Sequence, residues 1–379
     1  MEEESQLRRA VLEHPADDAP RRAYAAWCEA HGQSARAAFI RAQLERAKLP
    51  PDSPEAAHWF QEEMRALRAR PPTQPWWALY EAIVARYRAR TGKQRTSLSF
   101  RDQRGFIAGV GGDVAEVVEV LEELAAIEPI DHVWLEWPGR SGGAASLLPR
   151  LAAMPLWVRI KEISLNASAE LLHSLGHSPQ VAGVRRLSLW ANAPDNQTLD
   201  TPAILTALIA ALAGGFAGVT HFEIRGVALG PAGLEPLCAR TLARGKWERL
   251  SIADAALGDA GAQLLAAAPG LEHLQALALR DNGVTAAGVS ALVNAPGLAA
   301  LEDLDLGKNL IDEPGMRALQ QRRGLPRLRR LGIQECVREA LEEEWTEWTG
   351  ASLGRGKTLR VMPPDAVAAR FPLPGATLY

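Results

Sequence analysis

The sequence predicts an α/β fold: a solenoid of strand-plus-helix repeats, with a parallel inner sheet and outer helices, behind an N-terminal all-α domain. Three observations carry this. First, Leu274-xx-Leu277-x-Leu279-xx-Asn282 recurs as Leu301-xx-Leu304-x-Leu306-xx-Asn309 and as Leu328-xx-Leu331-x-Ile333-xx-Cys336. Trp247-xx-Leu250-x-Ile252 precedes them, so the leading residues stand 27 apart. Second, the later half of each unit repeats as well. Gly233, Gly261, Gly288 and Gly315 lie 14 residues beyond their leading position, and Leu237, Leu265, Leu292 and Leu319 lie 18 beyond. Third, residues from about 4 to 92 show helical periodicity alone.

The head divides at its helix breakers. Leu7, Ala10 and Val11 form the stripe of a first helix, which Pro15-Ala-Asp-Asp ends while capping the next. Ala23, Tyr24, Trp27 and Ala30 follow at helical spacing up to Gly32, then Phe39, Ile40, Gln43, Leu44 and Ala47 up to Pro50-Pro51. Two further helices are expected over Pro54 to Ala69 and Gln74 to Arg90. The run from Asp17 through Arg21, Tyr24, Trp27, Glu29 and His31 to Gly32, with Arg36, Phe39, Ile40, Arg41 and Gln43 behind it, resembles the bacterial repeat-companion domain. Two positions that are usually acidic in that family are Ala26 and Ala38 here. Tyr24, Trp27 and Phe39 read as core, and Arg21, Arg36 and Arg41 as helix-surface or ion-pair residues.

Next comes an N-terminal cap for the array: a strand over Thr96 to Phe100, an apolar stretch through Phe106, Ile107 and Val110, and a helix from Val114 to Ala126. Repeats then lead from Ile130, Ile160, Val184 and Val219, which makes about eight with the four above. Thr285 and Asp312 stand at helix N-cap positions. This pattern resembles the ribonuclease-inhibitor-like leucine-rich repeats, and the resemblance implies a right-handed solenoid. Strand side chains alternate, so the third, fifth and seventh positions of each motif face the concave surface. Trp134, Trp190, His221, Arg225, Arg249 and Arg280 are therefore the candidate protein-binding residues. Long insertions after Trp137 (Pro138 to Gly143) and after Trp190 (Ala191 to Pro202) fall at one end of the inner strands. Beyond Ile333, an acidic helix from Val337 to Trp348 is expected to close the array. The tail, Lys357 to Tyr379, reads as a final strand or a docking peptide. The domains are thus 1–92 head, 93–129 cap, 130–350 repeats and 351–379 C-terminal cap or docking tail.

Composition narrows the function. The 42 basic and 45 acidic side chains exert no global pull toward nucleic acid or anionic membrane. Three distant cysteines (Cys28, Cys238, Cys336) imply no disulfide framework. No signal peptide and no membrane span is expected, so a reducing cytoplasm is the implied compartment. Arg far outnumbers Lys and Ala is abundant, as in high-GC bacterial genomes. One stretch departs from neutrality. From Arg65 to Arg104, ten basic residues face only Glu81 and Asp102, with Trp76, Trp77, Tyr80 and Tyr87 interleaved. Such a mixture suits single-stranded nucleic acid, but the helical spacing of the rings fits a solvated face over a core better.

Catalytic motifs fail on inspection. Gly354-Arg-Gly356-Lys357-Thr358 lacks the glycine that a phosphate loop needs at position 351, which is Ala351. Glu170, His173 and His177 could share a helix face, but Gly176 and Pro179 end that helix, so no metal is assigned. Cys336 occupies a small buried position whose acidic surroundings oppose thiolate formation. The expectation is a non-catalytic, cofactor-free scaffold or adaptor that grips a protein through its concave face. The alternatives are an inhibitor, regulatory subunit or protease substrate of a neighbouring enzyme, and a nucleic-acid-binding head on a protein-binding solenoid.

Overall fold

The computed structural model describes residues 2–50, 53–70, 78–93, 95–137, 144–191, 200–336, 338–345, 354–361, 369 and 375–378. They fall into two compact units, Met1–Ser164 and Leu165–Tyr379.

In the first unit the head is helical as expected: α1 (Glu2–Glu13), α2 (Ala19–Ala30), α3 (Ser34–Arg46), α4 (Pro54–Arg68) and α5 (Ala78–Thr91). The start of the expected fifth helix, up to Trp77, lies outside the described residues. Asp17 Oδ1 accepts from Ala19 N at 2.9 Å and so serves the N-terminus of α2. Val11, Tyr24, Cys28, Ile40 and Leu44 form one core with Phe106, while Phe39 packs on Ala66. Phe106 belongs to a hairpin, β1 (Ser99–Gln103) and β2 (Phe106–Asp113), which turns through left-handed Arg104 and Gly105. Then come α6 (Val114–Ala125), β3 (His132–Glu136) parallel to β2, and α7 (Leu148–Ala153). The division between units falls within β4 (Glu162–Asn166).

The hairpin turn corrects one expectation. Arg36 is no surface residue. It is buried, and its Nη2 donates to Gly105 O at 2.6 Å, while Gln43 Oε1 accepts from Gly105 N at 2.6 Å. Two side chains of α3 thus satisfy both backbone polar groups of one residue, and a Cβ on Gly105 would come within 2.6 Å of Ile40. Arg21 is buried too, donating to the carbonyls of Pro15 (2.8 Å) and Asp17 (3.0 Å). Burial, followed by the charge of Arg104, lowers its pKa to about 10. With Arg8, the guanidinium groups of Arg21 and Arg36 lie within 5.8 Å of the Phe106 ring centroid. Guanidinium tolerates such sites because its planar face stacks on an aromatic ring. Arg41 matches its expectation, paired with Glu29 at 2.9 Å on the surface.

The second unit alternates strand and helix: α8 (Ala169–Gly176), β5 (Arg186–Trp190), α9 (Thr201–Ala213), β6 (His221–Arg225), α10 (Gly230–Arg240), β7 (Arg249–Ala253) and α11 (Gly258–Ala267). It continues with β8 (Ala276–Ala278), α12 (Ala286–Val293), β9 (Asp303–Asp305), α13 (Glu313–Gln321) and β10 (Arg330–Gly332). Strands β5 to β10 pair in sequence order, all parallel, and successive helices pack side by side. Leucines of the strands (Leu250, Leu277, Leu304, Leu331) and of the helices (Leu237, Leu265, Leu292, Leu319) are almost fully buried between the layers. The periodic glycines follow from crowding. A Cβ at Gly261, Gly288 or Gly315 would stand within 2.8 Å of the apolar side chain four residues earlier, Leu257, Val284 or Ile311.

Each turn out of a strand leaves buried backbone groups that the ladder does not pair. Asn309 supplies four of the missing bonds. Its Oδ1 accepts from Asn282 N and Val284 N, both at 3.0 Å, and its Nδ2 donates to Leu279 O (2.8 Å) and Leu306 O (2.7 Å). Asn282 does the same one repeat earlier, for Ala255 N, Leu257 N and Ile252 O. Cys336, at the equivalent position, donates Sγ–H to Leu306 O at 2.7 Å. Thr285 and Asp312 cap α12 and α13 as expected. Asp259 adds a cap from the preceding repeat, accepting from Thr285 N, Thr285 Oγ1 and Gly288 N at 2.6 to 2.8 Å.

After β10 the expected acidic helix is absent. Arg338–Trp345 forms β11, antiparallel to β12 (Gly354–Val361); Val337 and residues 346–348 of the expected helix lie outside the described residues. On a helix these glutamates would be like-charged neighbours. The antiparallel register instead sets Glu339 across from Arg360, Glu342 from Lys357 and Glu344 from Arg355. The phosphate-loop-like run thus lies in a strand. Farther on, β13 (Thr377–Leu378) pairs in parallel with β10, so part of the tail does add a final strand.

Replacing Asn309 by Ala should cost about 3 kcal/mol or more in urea unfolding, since several buried backbone groups lose their partner together. Arg317→Ala, on the solvent face of α13, should change stability by less than about 0.5 kcal/mol. Burial alone would raise the Asp259 pKa, but the bonds from Thr285 and Gly288 prevail and hold it below the usual carboxylate value. Its stabilising effect is therefore complete above the unfolded pKa, about 4, and lost as pH falls through the lower folded value. Asp259→Asn should lower the unfolding midpoint at pH 7, and the difference from the parent should close as pH falls through the folded value.

Candidate functional site

The parallel register turns the strand faces of the second unit into rows. One row reads Arg186, His221, Arg249, Ala276, Asp303, Arg330 from β5 to β10, and the next reads Ser188, Glu223, Ser251, Ala278, Asp305, Gly332. A third begins Trp190, Arg225, Ala253. Four of the six candidate residues (Trp190, His221, Arg225 and Arg249) are thus carried by strands of one parallel sheet, and Arg280 lies in the turn after β8. Trp190 and Arg225 are direct cross-strand partners, as are His221 and Arg249.

Their surroundings differ. Arg225 and Arg249 are exposed, whereas Trp190, His221 and Arg280 are half-buried. His221 Nδ1 lies 2.9 Å from Thr220 Oγ1 and 4.0 Å from Glu248. Arg280, in the turn after β8, is engaged internally, with Nη1 at 3.0 and 3.2 Å from the two oxygens of Asp305. Burial would lower its pKa, but the bonds and charge of Asp305 outweigh that and raise it. Asp305 also accepts from Gly307 N at 2.9 Å, so this pair is built into the end of β9. Ala253, at a seventh position, is buried, and Gly307 is as well.

Trp134 belongs to the first unit and is half-buried. Its ring lies over β2, where a Cβ on Gly111 would fall 2.2 Å from the indole and one on Gly109 would fall 3.0 Å away. Two alternate glycines on one strand face therefore make its seat. The signal was in the sequence, since Gly111 is the register partner of Trp134, but it needs the register to be read. Beside it, His132 has Nδ1 at 3.2 Å from Arg101 Nη1 and Nε2 at 3.2 Å from Ser164 Oγ, with Glu162 at 3.7 Å. Arginine only donates, so Nδ1 accepts and the ring proton is on Nε2, directed at the serine. That polarity is the reverse of what an activated nucleophile requires.

Five basic residues of the stretch are paired with carboxylates, four of which are far away in sequence. Arg86 pairs with Glu123, and Arg104 with Asp18. Arg90 Nη2 lies 2.6 Å from Glu119, Lys93 Nζ 2.7 Å from Glu116 and Arg65 Nη1 2.6 Å from Glu62. Three of these carboxylates come from α6. Tyr87 is buried; Trp76 and Trp77 lie outside the described residues, as do the insertions at 138–143 and 192–199. An open groove of about 440 Å³, edged by Arg46, Phe60, Arg101 and Gln103, runs between the α3–α4 corner and β1, and no sequence pattern announces it.

All three cysteines are buried and free. Burial, the largest cause, pushes the Cys336 thiol up to about 12, with Asp305 adding to it, and Cys238 up to about 11. Desolvation rather than acidic surroundings is thus the main reason that Cys336 stays a thiol. His173 and His177 are exposed, with ring centroids 4.3 Å apart. Among the described residues, no group of three or more His, Cys, Asp or Glu is placed to hold a metal ion, and no helix is long and apolar enough to cross a membrane.

A family model described as Leucine Rich repeat matches residues 270–293, which span the end of one repeat and the strand and helix of the next. No curated protein matches the chain. Among solved structures, similarity is found to a chain of the yeast Rad7 and Elc1 complex, at 13% identity over 70% of this chain and 71% of that one, with a TM-score of 0.34. An internalin from Listeria monocytogenes is similar at 13% identity over 71% and 86% of the two chains, with a TM-score of 0.30. The fold is α/β, a solenoid of leucine-rich repeats with a parallel strand layer and outer helices.

Gly111→Ala should drive the Trp134 indole off its seat. Acrylamide quenching of the emission lost in a paired Trp134→Phe variant should be stronger in the Gly111→Ala background than in the parent.

Proposed function

We propose that the chain is a non-catalytic interaction scaffold or adaptor that holds a protein on the concave face of its repeats. The observation that carries this reading is the cross-strand pair Trp190 and Arg225, with Arg249 on the next strand. Trp190 is half-buried while both arginines are exposed, and the pair combines two residue types that most often anchor interfaces. Trp134, His221 and Arg280 complete the proposed contacts. Trp134 acts from the first unit, and Arg280 through its fixed ion pair with Asp305.

The finer parts of the reading are also proposals. They are a repeat-companion head over 1–92, a cap over 93–129, ribonuclease-inhibitor-like repeats over 130–350, a C-terminal cap over 351–379, a bacterial source and a cytoplasmic setting. The pairing of β13 with β10 favours the cap over a docking peptide. A nucleic-acid-binding head is the weaker alternative, because Arg65, Arg86, Arg90, Lys93 and Arg104 already have carboxylate partners.

The tagged chain, expressed in its host beside a Trp134→Ala/Trp190→Ala/Arg225→Ala variant of unchanged circular dichroism, should retain a protein that the variant loses. Once that protein is identified, Trp190→Ala alone should weaken binding by about 2 kcal/mol, roughly thirtyfold. Equal affinity of parent and variant by calorimetry would remove these residues from the interface.

A further inference from the structure

The strand face of the second unit is divided by charge. On β8 to β10 the charges are satisfied internally: Arg280 holds Asp305 at 3.0 Å, Arg330 lies 3.7 Å from Asp303, and Ala276 and Ala278 leave a small-residue gap before them. On β5 to β7 the arrangement differs. Arg186, Arg225 and Arg249 are exposed, and among the described residues none of their side chains has a hydrogen bond or ion pair. One carboxylate, Glu223, stands in the row between them.

From this we infer that the β5–β7 face binds an acidic segment of a protein partner, its carboxylates meeting Arg186, Arg225 and Arg249. The inference rests on the reading of the repeat face as the binding surface and adds the chemistry of what it binds.

The geometry limits the ligand. Arg186 and Arg249 are on strands two apart, a separation of about 10 Å, and Arg225 is four residues farther along the strand direction, about 13 Å away. Three positive points at such spacings suit carboxylates several residues apart in a folded or extended chain. Glu223, between them, calls for a donor such as a hydroxyl or ammonium group, which a mixed protein sequence can supply. A nucleic acid carries a phosphate on every nucleotide, so one of them would be held against Glu223. Trp190, the register partner of Arg225, gives the segment an apolar contact at the same end. Exposed ion pairs of this kind are individually weak, and their sum is sensitive to salt.

Fluorescence anisotropy with the full chain tests this, using three labelled probes: a peptide alternating glutamate with serine, its lysine counterpart, and an oligothymidylate of similar length. The acidic peptide should bind, the lysine peptide should not, and added salt should weaken the complex. A folded Arg186→Gln/Arg225→Gln/Arg249→Gln variant should bind the acidic peptide at least about tenfold more weakly. Glu223→Gln should tighten it, because the variant removes one negative charge that faces the acidic chain. No binding of the acidic peptide, or equal binding by parent and triple variant, would overturn the inference. So would tighter binding of the oligothymidylate through the same arginines. The underlying reading is separable: a captured protein lost on Trp190→Ala but kept by the triple arginine variant leaves the binding face standing and removes its acidic partner. A protein kept by both variants removes the face itself.

Discussion

A strand that ends inside a protein must turn, and turning strands backbone groups where water cannot reach them. In the three repeats led by Trp247, Leu274 and Leu301 that requirement is met by one side chain per turn, and the side chain comes from the following repeat. Asn282 closes the turn of the repeat before it, Asn309 closes that of Asn282, and Cys336 reaches Leu306 O. A primary amide carries two donors and two acceptor lone pairs, which is why Asn309 can bond two N–H groups and two carbonyls at once. A thiol has one weak donor, so the terminal position offers less. Asp259, reaching the other way from its own repeat to cap α12, locks the same pair of neighbours from the helix side. Each repeat is therefore incomplete alone, and its order is borrowed from the next.

What could be read from the sequence is what this periodic requirement fixes. Leading residues 27 apart located strands β7 to β10, and the looser spacings still located β3 to β6, because the alternation of core and surface is set within five residues. The caps Thr285 and Asp312 and the buried Cys336 were legible for the same local reason. The failures are non-local. Nothing in the head announces that Arg36 and Gln43 grip Gly105, 69 and 62 residues away, and a buried arginine has no local signature that separates it from an exposed one. The acidic run 338–345 forms a strand rather than the expected helix because its register partners are the residues of β12, which its own local pattern does not include. Its charge pattern suits one strand of an antiparallel pair better than one face of a helix.

The candidate residues follow the same division. Their strand positions were legible, but their freedom was not. Arg280 and Arg225 look alike in sequence, yet one is bound to Asp305 and the other is exposed, with no hydrogen bond or ion pair among the described residues. Trp134 looks like an exposed ring until the two glycines beneath it are seen in register. The basic stretch of the head looks like a nucleic-acid surface until α6 brings its glutamates alongside. In each case the deciding fact is which charge or ring stands across from the residue, and only pairing supplies that.

A parallel sheet that stops leaves its last strand with a row of unanswered peptide groups, and such an edge recruits other chains indiscriminately. Here two residues near the C-terminus, Thr377 and Leu378, run beside β10 and occupy that edge. Were this pairing left unmade, the edge of β10 would be open to strands of other molecules, so the short strand bears on association as well as on stability.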